Sequence, residues 1–129
     1  MKYILLMNTM QAGTQGLDWS EQALGDHIAY MIALNKDLSA AGQLVDAQGL
    51  TFPDQAKIVR AGADGRPITD GVFPETKEFL AGYWLIEVER PEQAYEIAAR
   101  ASAAPGPDGE PLRMPIEVRP LMDGPSAEA

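Results

Sequence analysis

Apolar positions fall into short runs and two stretches of helical period. Lys2 to Asn8 is an apolar run bounded by polar residues, and its length predicts a buried strand. Thr9 to Asp18 carries two glycines among threonines and glutamines and is expected to be a loop. Leu24, Ile28, Met31, Leu34, Leu38 and Ala41 then recur at helical spacing and form one apolar stripe. Ser20 stands where an N-cap belongs, Glu21 favours the positive end of the helix dipole, and Gly42 falls where a left-handed residue ends helices well. The pattern therefore predicts a helix from about Ser20 to Ala41.

Gln43 to Leu50 alternates loosely, and Thr51-Phe52-Pro53-Asp54 is a break. Ala56 to Ala61 has the look of a strand, Asp64-Gly65 of a hairpin with a primed turn, and Ile68-Thr69 of the return strand. Tyr83 to Glu89 is rich in aromatic and branched residues, as strands are. Pro91 and Glu92 open a second helix whose apolar face is Ala94, Ile97, Ala98 and Ala101. Ser102 to Pro111, dense in proline and glycine, is expected to be loop or partly disordered. Met114 to Met122 supplies a closing strand, and residues 123–129 a flexible tail after one domain spanning 1–122.

This order is two βαβ-like halves with an inserted hairpin. It predicts an α+β, ferredoxin-like plan: a mainly antiparallel sheet with both helices on one face. The chain has no further helix for the other face, so subunit pairing through that face is the expected remedy.

Charge and composition narrow the partners. The 129 residues carry ten Lys+Arg against 19 Asp+Glu, a net charge of −9, and the basic residues form no run. Phosphate backbones and anionic lipid are repelled by such a chain, so neither nucleic acid nor a membrane surface is an expected partner. No apolar stretch nears the roughly 18 residues that span a bilayer. Asn8, Thr9 and Gln11 end the opening run before a signal peptide's cleavage region, so a cytoplasmic place is expected. Cysteine is absent, which removes disulfides, thiolate metal sites and cysteine nucleophiles.

The least ordinary segment is Thr69-Asp70-Gly71-Val72-Phe73-Pro74-Glu75-Thr76-Lys77-Glu78, followed by Phe79-Leu80-Ala81-Gly82-Tyr83. It closely resembles the DGPFAETKE signature of the YCII-related, or DGPF-domain, family, with Val72 where that family often has proline and Pro74 where it often has alanine. The resemblance extends to Lys2–Leu6, Ala41-Gly42, Gly49-Leu50, Gly82–Val88 and Ile116–Pro120. It implies a dimeric ferredoxin-like α+β barrel, two sheets facing each other across a cleft. Members are mostly uncharacterised; some occur beside or fused to sigma factors. A related branch includes a dehydrochlorinase of chlorinated hydroxyquinols that depends on a His/Asp pair.

His27 is the only histidine, and histidine alone has an ordinary pKa near neutrality. At 100° per residue it lies between Met31 and Leu34 on the sheet-facing side of the first helix. There it serves either as a general base in a cleft, with Asp70 to orient it, or as a helix-edge group bonded to backbone or solvent. Asp70 is equally suited to capping local N–H groups in an Asx turn. Glu75 and Lys77 could bind a polar ligand or hold their loop shut, and Tyr83 either faces the cleft or packs in the core. In the same segment Gly71 is expected to need a backbone conformation closed to β-branched residues, and Phe73 to plug the core.

One histidine without cysteine leaves only carboxylate-rich metal sites, and no EF-hand spacing occurs. No G-x-G-x-x-G, G-x-x-x-x-G-K-[ST] or G-x-S-x-G motif is present, so neither a metal nor a cofactor is implied. Two functions fit these residues. The first is a small-molecule enzyme in which His27 takes a proton, Asp70 orients it, and Lys77 stabilises a developing anion in an intersubunit cleft. An electron-poor aromatic or small organic acid suits that chemistry. The second is a non-catalytic module that binds a ligand or a protein, transcription-linked or metabolic.

Overall fold

Alternation along the first strand sends Tyr3, Leu5 and Met7 to one side and Ile4 and Leu6 to the other, and this split organises the molecule. The computed structural model describes residues 1–10, 19–69 and 78–122. Along the chain run β1 (Lys2–Met10), α1 (Glu21–Ala40), β2 (Leu44–Gly49), β3 (Val59–Ala61), β4 (Pro67–Thr69), β5 (Glu78–Glu87), α2 (Pro91–Ser102) and β6 (Ile116–Pro120), with a 3-10 turn at Pro53–Gln55. Four strands make an antiparallel sheet in the order β2-β5-β1-β6, and β3 with β4 forms a separate hairpin. This is the expected α+β arrangement, consistent with a ferredoxin-like plan. No helix among the described residues is long and apolar enough to cross a membrane.

Register builds the core. Tyr3 pairs with Ile86 and Leu5 with Trp84 and Val118, so these side chains share the face that both helices cover. Leu34 and Leu38 of α1 meet them there, with Ala94, Ile97, Ala98 and Ala101 of α2. Those four α2 residues are the apolar face that the sequence predicts. Ser20 Oγ accepts the Ala23 N–H at 3.0 Å and starts α1. Gly42, at φ +72°, ends it: its own N–H reaches the Ser39 carbonyl and the Gln43 N–H that of Leu38, a Schellman turn.

Three expectations need correction. Leu24 and Ile28 are 46% and 49% exposed, outside the core. They follow Ala23 and His27 by one residue, about 100° further round the helix, beyond the arc that the sheet can cover. The hairpin turn is not primed: Gly65 alone has positive φ, closing a loop in which Gly62 N–H meets the Arg66 carbonyl and Asp64 Oδ1 accepts the Arg66 N–H. That is a three-residue loop with glycine in the left-handed position. β5 begins at Glu78, five residues before the predicted strand, with a register shift at Met7/Asn8 that lets Phe79 be buried.

Ser102 to Pro111, expected to be loop or partly disordered, is after the end of α2 an ordered loop. Pro105 and Pro111 form a bridge, Gly106 N–H bonds the Glu110 carbonyl at 2.8 Å, and Leu112 N–H bonds the Ala104 carbonyl at 2.9 Å. Ala104 is fully buried beneath this small hairpin. Proline and glycine here shape a tight turn instead of weakening it.

On the sheet face away from the helices, Ile4, Leu6 and Leu85 form an apolar centre. Lys2, Glu87, Glu117, Arg119, Asp46 and Gln48 flank it by register. The face is therefore less apolar than the run of strand residues implies.

Candidate functional site

The middle of α1 faces the sheet through residues one turn apart: His27, Met31 and Asn35. Between this stripe and the sheet lies a cavity of about 180 Å³, bordered also by Met7, Trp84, Ala47, Gln48, Tyr83 and the glycines Gly49 and Gly82. Gly82 and Gly49 pair across β5 and β2. A Cβ on Gly82 would come within 2.8 Å of the Gln48 carbonyl and 3.4 Å of Met7 Cε, so a bare backbone is what permits this floor.

His27 Nδ1 lies 3.0 Å from the Pro105 carbonyl oxygen. A carbonyl only accepts, so Nδ1 carries the proton and the neutral ring keeps its lone pair on Nε2. Trp19 packs against the imidazole in an edge arrangement, centroids 5.3 Å apart. The carbonyl is held by the 104–112 hairpin, so backbone fixes the tautomer. At the far end of the stripe, the Trp84 indole N–H donates to Asn35 Oδ1 at 2.8 Å. An indole nitrogen only donates, which assigns the Asn35 oxygen to Trp84 and leaves its NH₂ as the other end.

Tyr83 lies elsewhere. Its backbone borders the cavity, but alternation with buried Trp84 puts its ring on the opposite face of the sheet. There its hydroxyl donates to Asp46 Oδ2 at 2.8 Å, and Gln48 Nε2 donates to Oδ1 at 3.3 Å. The Tyr83 bond holds the Asp46 carboxyl below its usual range against the opposing effect of desolvation, with help from Gln48 and the Ala47 backbone. The same carboxylate pushes the Tyr83 phenol above its usual value.

The sequence candidates thus separate. His27 lines the cavity, and Tyr83 belongs to a polar cluster on the other face. Asp70, Glu75 and Lys77 lie outside the described residues, as do Gly71 and Phe73. Nδ1 of His27 is taken by the Pro105 carbonyl, so a carboxylate from elsewhere would meet the ring at Nε2. Three contributors escaped the sequence: Asn35, Asp46 and the Pro105 carbonyl. Asn35 left a signal, standing two turns beyond His27 with Met31 between them. The carbonyl left none, because backbone groups carry no residue signature.

Residues 1–106 match the YCII-related domain family. An uncharacterised protein of Rhizobium meliloti (strain 1021) is 30% identical over 103 residues, covering 80% of this chain and 79% of its own length. The match extends from β1 through α2 and takes in both the histidine of α1 and the carbonyl that orients it: the chain belongs to the YCII-related family.

Proposed function

We propose that the chain is a small-molecule protein of general acid–base type, with the cavity between α1 and the sheet as its site and His27 Nε2 as the proton acceptor. One observation carries this: the single histidine borders a half-open cavity with its Nδ1 proton fixed on Pro105. An apolar cavity of roughly 150 Å³ admits benzene, so the space suits a ligand one ring across. Met7, Met31 and Trp84 offer apolar walls, while His27 and Asn35 offer polar ends. Lys77 keeps its proposed role as a cation for a developing anion and Glu75 that of a further ligand contact, while Asp70 takes its other reading, a cap for local N–H groups, because the Pro105 carbonyl already orients the imidazole.

The test uses the lone histidine as a reporter. Single-ring phenols and carboxylic acids are titrated into the protein while the imidazole carbon-bound proton signals and the Trp84 indole signal are followed. Compounds of this class are expected to move both sets. A panel that moves neither would remove the cavity from consideration. Once a turned-over compound is found, His27→Ala is expected to abolish turnover, and unchanged activity would end the catalytic role.

We further propose a homodimer through the sheet face opposite the helices. Ile4, Leu6 and Leu85 would meet their copies across a two-fold axis. Lys2 and Arg119 beside Glu87 and Glu117 give that face charges of both signs, which offset the repulsion between two chains of net charge −9.

A further inference from the structure

We infer that Asn35 determines specificity in this cavity: its amide nitrogen selects ligands that carry a hydrogen-bond acceptor at the end opposite the proton given to His27. The inference rests on the proposed site and adds the chemistry of its second pole. Trp84 makes it possible. By taking Oδ1, the indole N–H prevents the carboxamide from flipping, so the side chain offers donors rather than a choice of donor and acceptor. In its neutral form the His27 ring has the reverse polarity, since Pro105 takes its donor and leaves an acceptor at Nε2.

The two poles are spaced for one ring. Eight residues of helix separate His27 from Asn35, a rise of about 12 Å. Both side chains lean toward the helix N-terminus, so their polar ends keep a similar offset. A hydrogen bond of about 3 Å at each end leaves roughly 6 Å for the ligand's own heavy atoms. That is the span of a six-membered ring with substituents at opposite corners. The expected ligand is a flat single-ring compound with an acidic hydroxyl at one corner and a carbonyl-type oxygen at the other.

The experiment compares 4-hydroxybenzaldehyde, which has both ends, with 4-methylphenol, which lacks the acceptor. Binding is read from the His27 carbon-bound proton signals and the Trp84 indole N–H cross-peak, assigned with a Trp19→Phe protein. The wild-type chain is expected to prefer the aldehyde by about tenfold in Kd, the scale of one satisfied hydrogen bond. Asn35→Ala should erase that preference while 4-methylphenol still binds. Asn35→Asp keeps an oxygen for Trp84, so the indole cross-peak should hold its place while the preference again disappears. A preference that survives both substitutions would overturn the role of Asn35 and leave the His27 site standing. If neither compound moves the His27 or Trp84 signals of the wild-type protein, both the role of Asn35 and the site itself are overturned.

Discussion

Gly82 and Gly49 face each other across the β5–β2 ladder, yet alanine at the two positions should have opposite effects. At Gly82 the new methyl would stand 2.8 Å from the Gln48 carbonyl oxygen, a backbone atom that cannot rotate away, and 3.4 Å from Met7 Cε. Either β2 moves off β5 or the cavity floor buckles. Overpacking of this kind typically costs about 1–3 kcal/mol. For a chain of this length each kcal/mol corresponds to roughly 3–6 °C in Tm, so Gly82→Ala should melt about 3–18 °C lower. At Gly49 nothing lies within 4 Å of the same methyl, and the backbone has no positive φ. Gly49→Ala should be neutral or stabilise by up to about 1 kcal/mol, through lost freedom of the unfolded chain. Both proteins are melted by circular dichroism at one protein concentration, since an associating chain has a concentration-dependent Tm. Equal melting temperatures for the two variants would refute the close approach at Gly82.

The Tyr83–Asp46 pair predicts a pH signature. The tyrosine's folded pKa is raised, so its stabilising contribution is complete below the ordinary phenol pKa and disappears as pH rises through the folded value. The carboxylate's is lowered, so its contribution is complete above the ordinary carboxyl pKa and disappears as pH falls through the folded value. Asp46→Asn should return the Tyr83 ring-carbon titration toward that of an ordinary tyrosine, and an unmoved titration would exclude the carboxylate as cause. For assembly, sedimentation at micromolar concentration should show twice the mass of one 13.9 kDa chain and persist at high salt, where a hydrophobic contact is unscreened. A folded single-chain species would defeat pairing through the sheet face, and Leu6→Arg should produce that species if Leu6 stands at its centre.

Where local chemistry decides geometry, the sequence was legible. Ser20 and Gly42 bracket α1 because one supplies a cap oxygen and the other a positive φ. Ala94, Ile97, Ala98 and Ala101 mark the inner face of α2 because helix period and burial coincide there. Legibility failed where tertiary contact decides. Leu24 and Ile28 have the right period for the core, but the sheet ends before it reaches them. Phe79 belongs to a strand whose first residue, Glu78, is charged, so pattern alone placed the strand's start too late. For the site, His27 was visible as a singular titratable group on the sheet-facing side. Asn35 was not, since an asparagine on a helix is usually a solvated polar residue until a buried indole is found beside it.

In the proposed site, the Pro105 carbonyl sets what kind of base His27 would be. A carboxylate on Nδ1 would select the tautomer and also stabilise the imidazolium once Nε2 had taken a proton. A carbonyl does the first as well, because it accepts from Nδ1–H in both charge states. It does the second only weakly, carrying a dipole rather than a full charge. Among the described residues no carboxylate touches the ring, and the Trp19 edge contact adds no negative charge. The proposed ligand, a phenol conjugated to a carbonyl, is acidic enough of itself to give up its proton to a ring with no carboxylate partner. That is also the group for which a donor at Asn35 helps most, since the charge left on loss of the proton spreads across the ring to the oxygen Asn35 would hold. The proposed site thus calls for one ligand chemistry at both ends, through the Pro105 bond to His27 and the Trp84 bond to Asn35.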